Sequence, residues 1–111
     1  IRASQINGCG FCLHMHLKDA VKLGESVERI VLLDAWRESP LFTERERAAL
    51  AFTEAVTELT KAGVADPVYE ELARHFSPAE QVELMLAIGV INMWNRINVG
   101  FAVVHPKQKA A

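Results

Sequence analysis

Apolar residues recur along most of the chain three and four positions apart, which is the spacing of helices that bury one face. Runs that alternate between apolar and polar residues, as strands do, are scarce. We therefore predict an all-α fold, a compact multi-helix domain that spans residues 1–111. The pattern predicts the end of a helix in residues 1–7 and further helices over about residues 9–23, 26–37, 43–61, 66–75 and 77–104.

Residues that favour caps and turns mark the ends of these helices. Thr43 and Ser77 are each followed three residues later by glutamate, which is the capping-box pattern of a helix start. Gly24 suits the left-handed turn after a helix, and Pro106 is expected to stop the last helix. Residues 107–111 are expected to form a frayed tail.

The last predicted helix is apolar on more than one face. We therefore expect it to be central in the fold or buried against a neighbouring subunit. Its apolar residues include Val82, Met85, Leu86, Ile88, Ile91, Trp94 and Val99.

Composition excludes some classes of function. Half of the 111 residues are hydrophobic, 23% are charged and the formal net charge is −2, which gives no electrostatic reason to expect a nucleic-acid partner. The longest apolar tract, residues 84–91, is far shorter than the roughly 20 residues that a membrane-spanning helix needs. With no secretory signal pattern, we expect a cytoplasmic protein without membrane contact. Because the chain starts at Ile1 in a helix-like stretch, we expect N-terminal residues of the full protein to be missing.

Both cysteines and two of the four histidines lie within the ten residues NGCGFCLHMH. On a helix that starts at Cys9, the side chains of Cys12 and His16 fall within about 60° of Cys9, whereas His14 lies on the far side. Leucines continue the face of the trio, so we expect these three side chains to be partly sheltered where the helix meets the core.

This arrangement favours redox chemistry. A helix N-terminus and an imidazole one turn away both stabilise a thiolate, which is the reactive form of cysteine. Two cysteines at positions i and i+3 can also close a disulfide after one of them has been oxidised to a sulfenic acid. A lone Cys-x-x-Cys pair in a reducing compartment is more often catalytic or metal-binding than a structural disulfide.

The same residues also allow interpretations without redox chemistry. A structural zinc site would need four ligands, for which only His16 or the distant His75 and His105 could join the two cysteines, and the cysteines could also be inert core residues. We expect His14 to be exposed on the outer face, His75 to interact with a helix dipole and His105 to lie in a terminal loop. We predict no metal ligand and no cofactor.

The segment ASQINGCGFCLHMHLKDAVKLGES, residues 3–26, resembles the core of the AhpD-like alkylhydroperoxidases in the carboxymuconolactone decarboxylase family. The hallmark of that core is Cys-x-x-Cys-x-x-x-His, represented here by Cys9, Cys12 and His16. The stretch Asn92–Asn98, NMWNRIN, is similar to the family's Asn-x-Trp-Asn-Arg sequence, so the resemblance covers nearly the whole chain.

The resemblance implies a thiol-dependent peroxidase that assembles into homotrimers or homohexamers. It implies that Cys12, hydrogen-bonded towards His16, attacks a peroxide and that Cys9 resolves the sulfenic acid to a disulfide. An external dithiol, a lipoyl group on a partner protein in relatives, would then reduce this disulfide. The residues alone leave the order open, because Cys9 is nearer the helix dipole and Cys12 nearer the imidazole.

Two departures from the family pattern concern proton transfer. The relay glutamate that peroxidase members carry on the preceding helix would fall before Ile1. Phe11 stands where well-studied peroxidases have a histidine, and it cannot shuttle protons. We expect the disulfide chemistry to survive this replacement and the rate or the substrate to be what it affects. Asp19 could orient His16, although a solvated surface aspartate is the favoured interpretation. In the stretch Asn92–Asn98, we expect the tryptophan to pack in the core or an interface and the asparagines to hydrogen-bond between helices.

Two alternative functions stay open. A decarboxylase or lyase acting on a lactone acid would need a cationic pocket for a carboxylate, for which Arg2 and Arg96 are the visible candidates. A non-enzymatic redox-responsive protein would use the cysteine pair without a catalytic cycle.

Overall fold

The computed structural model describes residues 1–107, and in this range the chain is helical and contains no β-strand. The predicted all-α fold is therefore confirmed. None of the helices in residues 1–107 is long and apolar enough to cross a membrane. In chain order the elements are α1 (Arg2–Asn7), α2 (Gly10–Lys22), α3 (Val27–Leu32), a 3₁₀ helix (Leu33–Glu38), α4 (Glu44–Thr57), α5 (Leu59–Ala62), α6 (Asp66–His75) and α7 (Pro78–Gly100).

The apolar core forms where α4, α6 and α7 meet. Each of these helices contributes one buried residue, namely Phe52, Leu72 and Ile88. Partly buried aliphatic and aromatic side chains close around them, so three helices far apart in sequence are held together by one cluster. These surrounding residues are Val56, Val64, Val68, Phe76 and Leu84.

Helix α1 lies against both α4 and α7, and its contact residues are small. Ala3 and Ser4 are buried there, which lets the backbone of α1 approach its neighbours closely. Because α2 follows after only two residues, this placement of α1 sets the N-terminus of α2 against α7.

The predicted caps at three helix starts are confirmed. The side-chain oxygens of Ser26, Thr43 and Ser77 accept hydrogen bonds from the backbone of α3, α4 and α7 respectively. Thr43 and Ser77 form complete capping boxes with the glutamates three residues later. These local signals fixed where the helices begin.

Two predicted helices are interrupted, although they end close to the predicted residues. The helix predicted to reach residue 37 is divided into α3 and the 3₁₀ helix, where Ala35 leaves the helical conformation and the indole Nε1 of the buried Trp36 donates to Glu54 at 2.6 Å. The helix predicted to reach residue 61 is interrupted at Glu58, which leaves the helical conformation between α4 and the short α5.

The last helix ends at Gly100 rather than at residue 104. Ala102 adopts a left-handed conformation with φ of 53°, and the N–H of Val103 donates to the carbonyl of Asn98 at 2.8 Å. This is a Schellman-type ending, which usually carries glycine, and an alanine at this position does not predict it. The predicted frayed tail lies, from residue 108 onward, outside the described residues.

Candidate active site

A tight turn after α1 places Cys9 directly before the first residue of α2. Gly8 has φ of 66°, and the amides of Gly8 and Cys9 donate to the carbonyls of Gln5 and Ser4, which closes α1 with a Schellman motif. A left-handed conformation of this kind favours glycine. Cys9 is therefore the N-cap of α2, and its sulfur accepts the backbone N–H of Cys12 at 3.3 Å.

Cys9 and Cys12 are joined in a disulfide, with their Cα atoms 5.3 Å apart. Their side chains are buried, with 1% and 0% of the residue exposed. The two sulfurs thus lie at the amino end of α2 as predicted, and the oxidised pair is sheltered from solvent.

His16 lies one turn after Cys12 and is half-buried. Its Nδ1 atom is buried and has no hydrogen-bond partner in the described part of the chain. A buried imidazole nitrogen without a partner is uncommon in proteins. The catalytic roles of Cys9, Cys12 and His16 stay predictions at this point.

The residue that donates to the Cys12 sulfur through its side chain is Asn98, on α7. Its Nδ2 atom lies 3.5 Å from Cys12 Sγ and 2.9 Å from the carbonyl oxygen of Trp94, and its side chain is buried. This contact was not predicted from the sequence. The available signal was an asparagine on a largely apolar helix, because a buried amide requires partners.

The other asparagines of α7 confirm the predicted hydrogen bonding between helices. Asn7 of α1 donates to the side-chain oxygens of Asn92 and Asn95 at 2.9 and 3.0 Å. Asn95 is fully buried and donates to the Ser4 hydroxyl at 3.0 Å. Asn92 donates to Thr57 at 3.1 Å, so the network links α1, α4 and α7 beside the cysteines.

An open apolar cleft of about 1310 Å³ borders the site. His16 and Asn98 line it together with residues of α2, α3, α4 and α7. The expected shelter of the trio is present, although Leu23, which follows α2 on the same face, is 86% exposed. Trp94 also lines the cleft and is half exposed rather than part of the core.

The remaining histidines occupy other positions. His14 is not exposed as predicted but half-buried, and its ring stacks on that of His105 with centroids 4.4 Å apart. Partial burial, followed by the charges of Lys18 and His105, lowers the pKa of His14. His75 ends α6 as expected and contacts the Glu71 carboxylate at 3.1 Å.

Arg2 and Arg96, the candidates for a carboxylate pocket in the decarboxylase or lyase alternative, do not lie in one site. Arg2 lines the large cleft but is bound to Asp34 at 2.8 Å, whereas Arg96 borders a separate pocket and donates to Asn92. Asp19, considered as a residue that could orient His16, is exposed.

Within residues 1–107, no three His, Cys, Asp or Glu side chains come together in an arrangement that could hold a metal ion.

Comparison with known proteins agrees with this geometry. Residues 1–55 match the sequence model of the carboxymuconolactone decarboxylase family. The uncharacterised protein YdfG of Bacillus subtilis is 42% identical over 99 residues, which are 89% of this chain and 67% of YdfG. The chain is an AhpD-like member of the carboxymuconolactone decarboxylase family.

Two further proteins resemble this AhpD-like chain. The uncharacterised protein YnjA of Escherichia coli is 37% identical over 98 residues, and the chain spans about half of its length, 53%. A crystal structure from Agrobacterium tumefaciens matches with a TM-score of 0.94 and 50% identity over 96% of this chain and 73% of that one. That protein is of unknown function and has been suggested to be the antioxidant defence protein AhpD.

Proposed function

We propose that this AhpD-like chain is a thiol-dependent peroxidase of the antioxidant type, which reduces organic hydroperoxides or hydrogen peroxide. The observation that carries the proposal is the disulfide between Cys9 and Cys12 at the N-terminus of α2, where the helix dipole and the amide donors favour a thiolate. The adjacent apolar cleft offers space for the organic part of a hydroperoxide.

The proposed cycle uses both sulfurs. The Cys12 thiolate attacks the terminal oxygen of the peroxide, the O–O bond breaks, and the alcohol leaves after it takes up a proton. The sulfenic acid on Cys12 is then attacked by the Cys9 sulfur, which forms the disulfide and releases water. An external dithiol supplies two electrons and two protons by thiol–disulfide exchange and returns both cysteines to thiols.

His16 is the proposed general base of this cycle. It follows Cys12 by one turn of α2 and lines the cleft, which supports a role in accepting the Cys12 proton and in protonating the leaving alcohol. His14 provides a matched control, because it lies on the same helix but stacks on His105. We expect His16→Asn to lower peroxide turnover by about 100-fold or more and His14→Asn to change it little.

Single cysteine variants test the cycle directly. With dihydrolipoamide as reductant, both Cys9→Ser and Cys12→Ser should lose turnover of an alkyl hydroperoxide. Only the reduced Cys9→Ser protein should form a sulfenic acid that dimedone traps, and mass spectrometry should place the adduct on Cys12. Unchanged turnover in both variants would contradict the proposal, and an adduct only in Cys12→Ser would reverse the roles of the two sulfurs.

We further propose a dithiol partner and an assembly of identical chains. A lipoyl group on a partner protein is the proposed reductant, because an alkyl chain that carries a dithiol suits the apolar cleft. A homotrimer or homohexamer is the proposed assembly, supported by the large apolar side chains that α7 exposes. Reduction by dihydrolipoamide much faster than by glutathione would support the first point.

A further inference from the structure

One side chain outside the Cys-x-x-Cys helix contacts a reacting sulfur. We infer that Asn98 is a catalytic residue, whose side-chain amide donates to the Cys12 sulfur and selects it as the thiolate when the disulfide opens. The inference deepens the proposed function and depends on it for the catalytic role, although the effect of Asn98 on the thiol can be measured without any peroxide.

The orientation of the Asn98 amide is fixed by its second contact. Its Nδ2 atom lies 2.9 Å from the carbonyl oxygen of Trp94, which can only accept a hydrogen bond. The NH₂ group rather than the side-chain oxygen must therefore face that carbonyl. The remaining N–H is then available to the Cys12 sulfur, 3.5 Å from the same nitrogen.

Burial explains why such a donor matters. Cys12 is completely buried, and Asn98 is only 8% exposed, so little water can solvate a negative charge on this sulfur. A buried thiolate without hydrogen bonds is unfavourable, whereas a donor of fixed position stabilises the charged form. A disulfide sulfur is a weak acceptor and a thiolate a strong one, so the contact strengthens upon reduction.

The two sulfurs receive different kinds of donor. The Cys9 sulfur accepts the backbone N–H of Cys12 from within its own helical turn. The Cys12 sulfur accepts from a side chain 86 positions away in the sequence. The side-chain donor on α7 thus favours Cys12, whereas the α2 dipole lies nearer to Cys9, the N-cap of that helix.

The experiment measures the pKa of the Cys12 thiol in reduced Cys9→Ser protein, from the pH profile of alkylation by iodoacetamide. Adding Asn98→Leu, which keeps a similar shape but removes the donor, should raise that pKa by about one unit. Since one unit is a tenfold change in equilibrium, the thiolate fraction and the alkylation rate near neutral pH should fall about tenfold.

Asn92→Leu in the same background is the matched control. Asn92 lies on the same helix and also donates to the carbonyl four residues earlier, that of Ile88 at 2.9 Å, but its recorded side-chain contacts are with oxygen and nitrogen atoms. It should leave the Cys12 titration unchanged. An unchanged titration in Asn98→Leu, or an equal shift in Asn92→Leu, would overturn the inference.

A second measurement needs no substitution of the asparagine. In reduced, ¹⁵N-labelled Cys9→Ser protein, the side-chain NH₂ resonances of Asn98 should titrate with the same midpoint as alkylation of Cys12, while those of Asn92 should not. A pH-independent Asn98 resonance across that midpoint would overturn the inference even if Asn98→Leu does not fold. If the thiol effects appear but peroxide turnover is absent, the proposed function fails and the assignment of Asn98 as the donor stands.

Discussion

The C-terminal half of α7 has two faces that reverse the usual pattern of an amphipathic helix. The inner face carries the buried amides of Asn95 and Asn98. The outer face carries Val90, Met93 and Trp94, which are 50%, 49% and 49% exposed, and its Val90 and Trp94 also border the apolar cleft. Polar groups therefore lie inside and apolar groups outside, and the two faces depend on different partners.

The inner face finds its partners within the chain. Asn95 is held between Ser4 and Asn7 of α1, and Asn98 lies between the Trp94 carbonyl and the Cys12 sulfur. A buried amide is costly unless it is hydrogen-bonded, so this face specifies one arrangement of α1, α2 and α7. The comparison teaches that hydrogen bonds within the chain set the geometry of the site, while the apolar area of the outer face is left exposed.

The largest expected effect on stability follows from removing a hydrogen-bonding side chain from the inner face. Asn95→Leu leaves Ser4 and Asn7 without their buried partner and should lower the free energy of unfolding by about 2–4 kcal/mol. Met93→Leu on the outer face, at a half-exposed position, should change it by less than about 0.5 kcal/mol. Urea denaturation of the reduced proteins gives both values, and similar losses in the two variants would contradict the contrast between the faces.

The proposed role of the outer face in oligomer formation can be tested by introducing a charged side chain there. Val90→Glu should weaken the proposed homo-oligomer at least about tenfold, because an interface that buries Val90 would have to bury an unpaired carboxylate. Light scattering over a dilution series measures the change in mass. Glu83→Gln on an exposed position of the same helix is the control, and an assembly equally stable in Val90→Glu would show that another face forms the interface.

A smaller effect is expected at the charged border of the cleft. Hydrogen bonding from Arg29, followed by that from the Thr43 backbone, lowers the pKa of Glu46 to about 2. Glu46 therefore stabilises the fold above its ordinary pKa of 4.5, and the contribution is lost as the pH falls through about 2. Because the pair is partly solvated, we expect Glu46→Gln to cost only about 1 kcal/mol at pH 7.

The pH dependence of thermal unfolding checks whether Glu46 stabilises the fold in its ionised form. The difference between parent and Glu46→Gln should be constant from neutral pH down to about pH 4.5, its ordinary pKa, and should shrink below it. Glu28→Gln, on an exposed residue of α3, is a suitable control. A difference that grows upon acidification would contradict the assigned role of Glu46.

The smallest effect concerns the stacked rings of His14, on α2, and His105, which follows α7. The lowered pKa of His14, caused by partial burial and by Lys18 and His105, favours the neutral imidazole in the folded state. Stability should therefore be fully present above its ordinary pKa of 6.5 and should decline as the pH falls below it. The melting temperature should fall slightly less with acid in His14→Gln than in the parent, and an identical acid profile would show that the stack does not contribute.

Local features were predictable from the sequence. The capping boxes that start with Thr43 and Ser77 involve residues three positions apart, and the structure contains both. The same holds for Cys9 and Cys12, whose spacing on one helical turn places them within reach of a disulfide. These features depend only on the geometry of one turn.

Contacts between distant segments were not predictable in this way. The buried Trp36 donates to Glu54 from the 3₁₀ helix that interrupts a predicted α-helix, and the left-handed Ala102 ends α7 early. The contact between Asn98 and Cys12 likewise requires α7 to cross the amino end of α2. Each depends on how helices pack, which the periodicity of a single segment does not encode.

The sequence by itself therefore determined the helical class and the cluster of sulfurs and imidazole on one helix, because helix periodicity and capping are local properties of the chain. Only the tertiary structure decided which neighbours those groups meet: an amide at one sulfur, an imidazole nitrogen with no hydrogen-bond partner among residues 1–107, and an open apolar cleft. The reason is physical, since burial and hydrogen bonding between helices depend on their relative placement, and that placement is set by the packing of α1, α4 and α7 together.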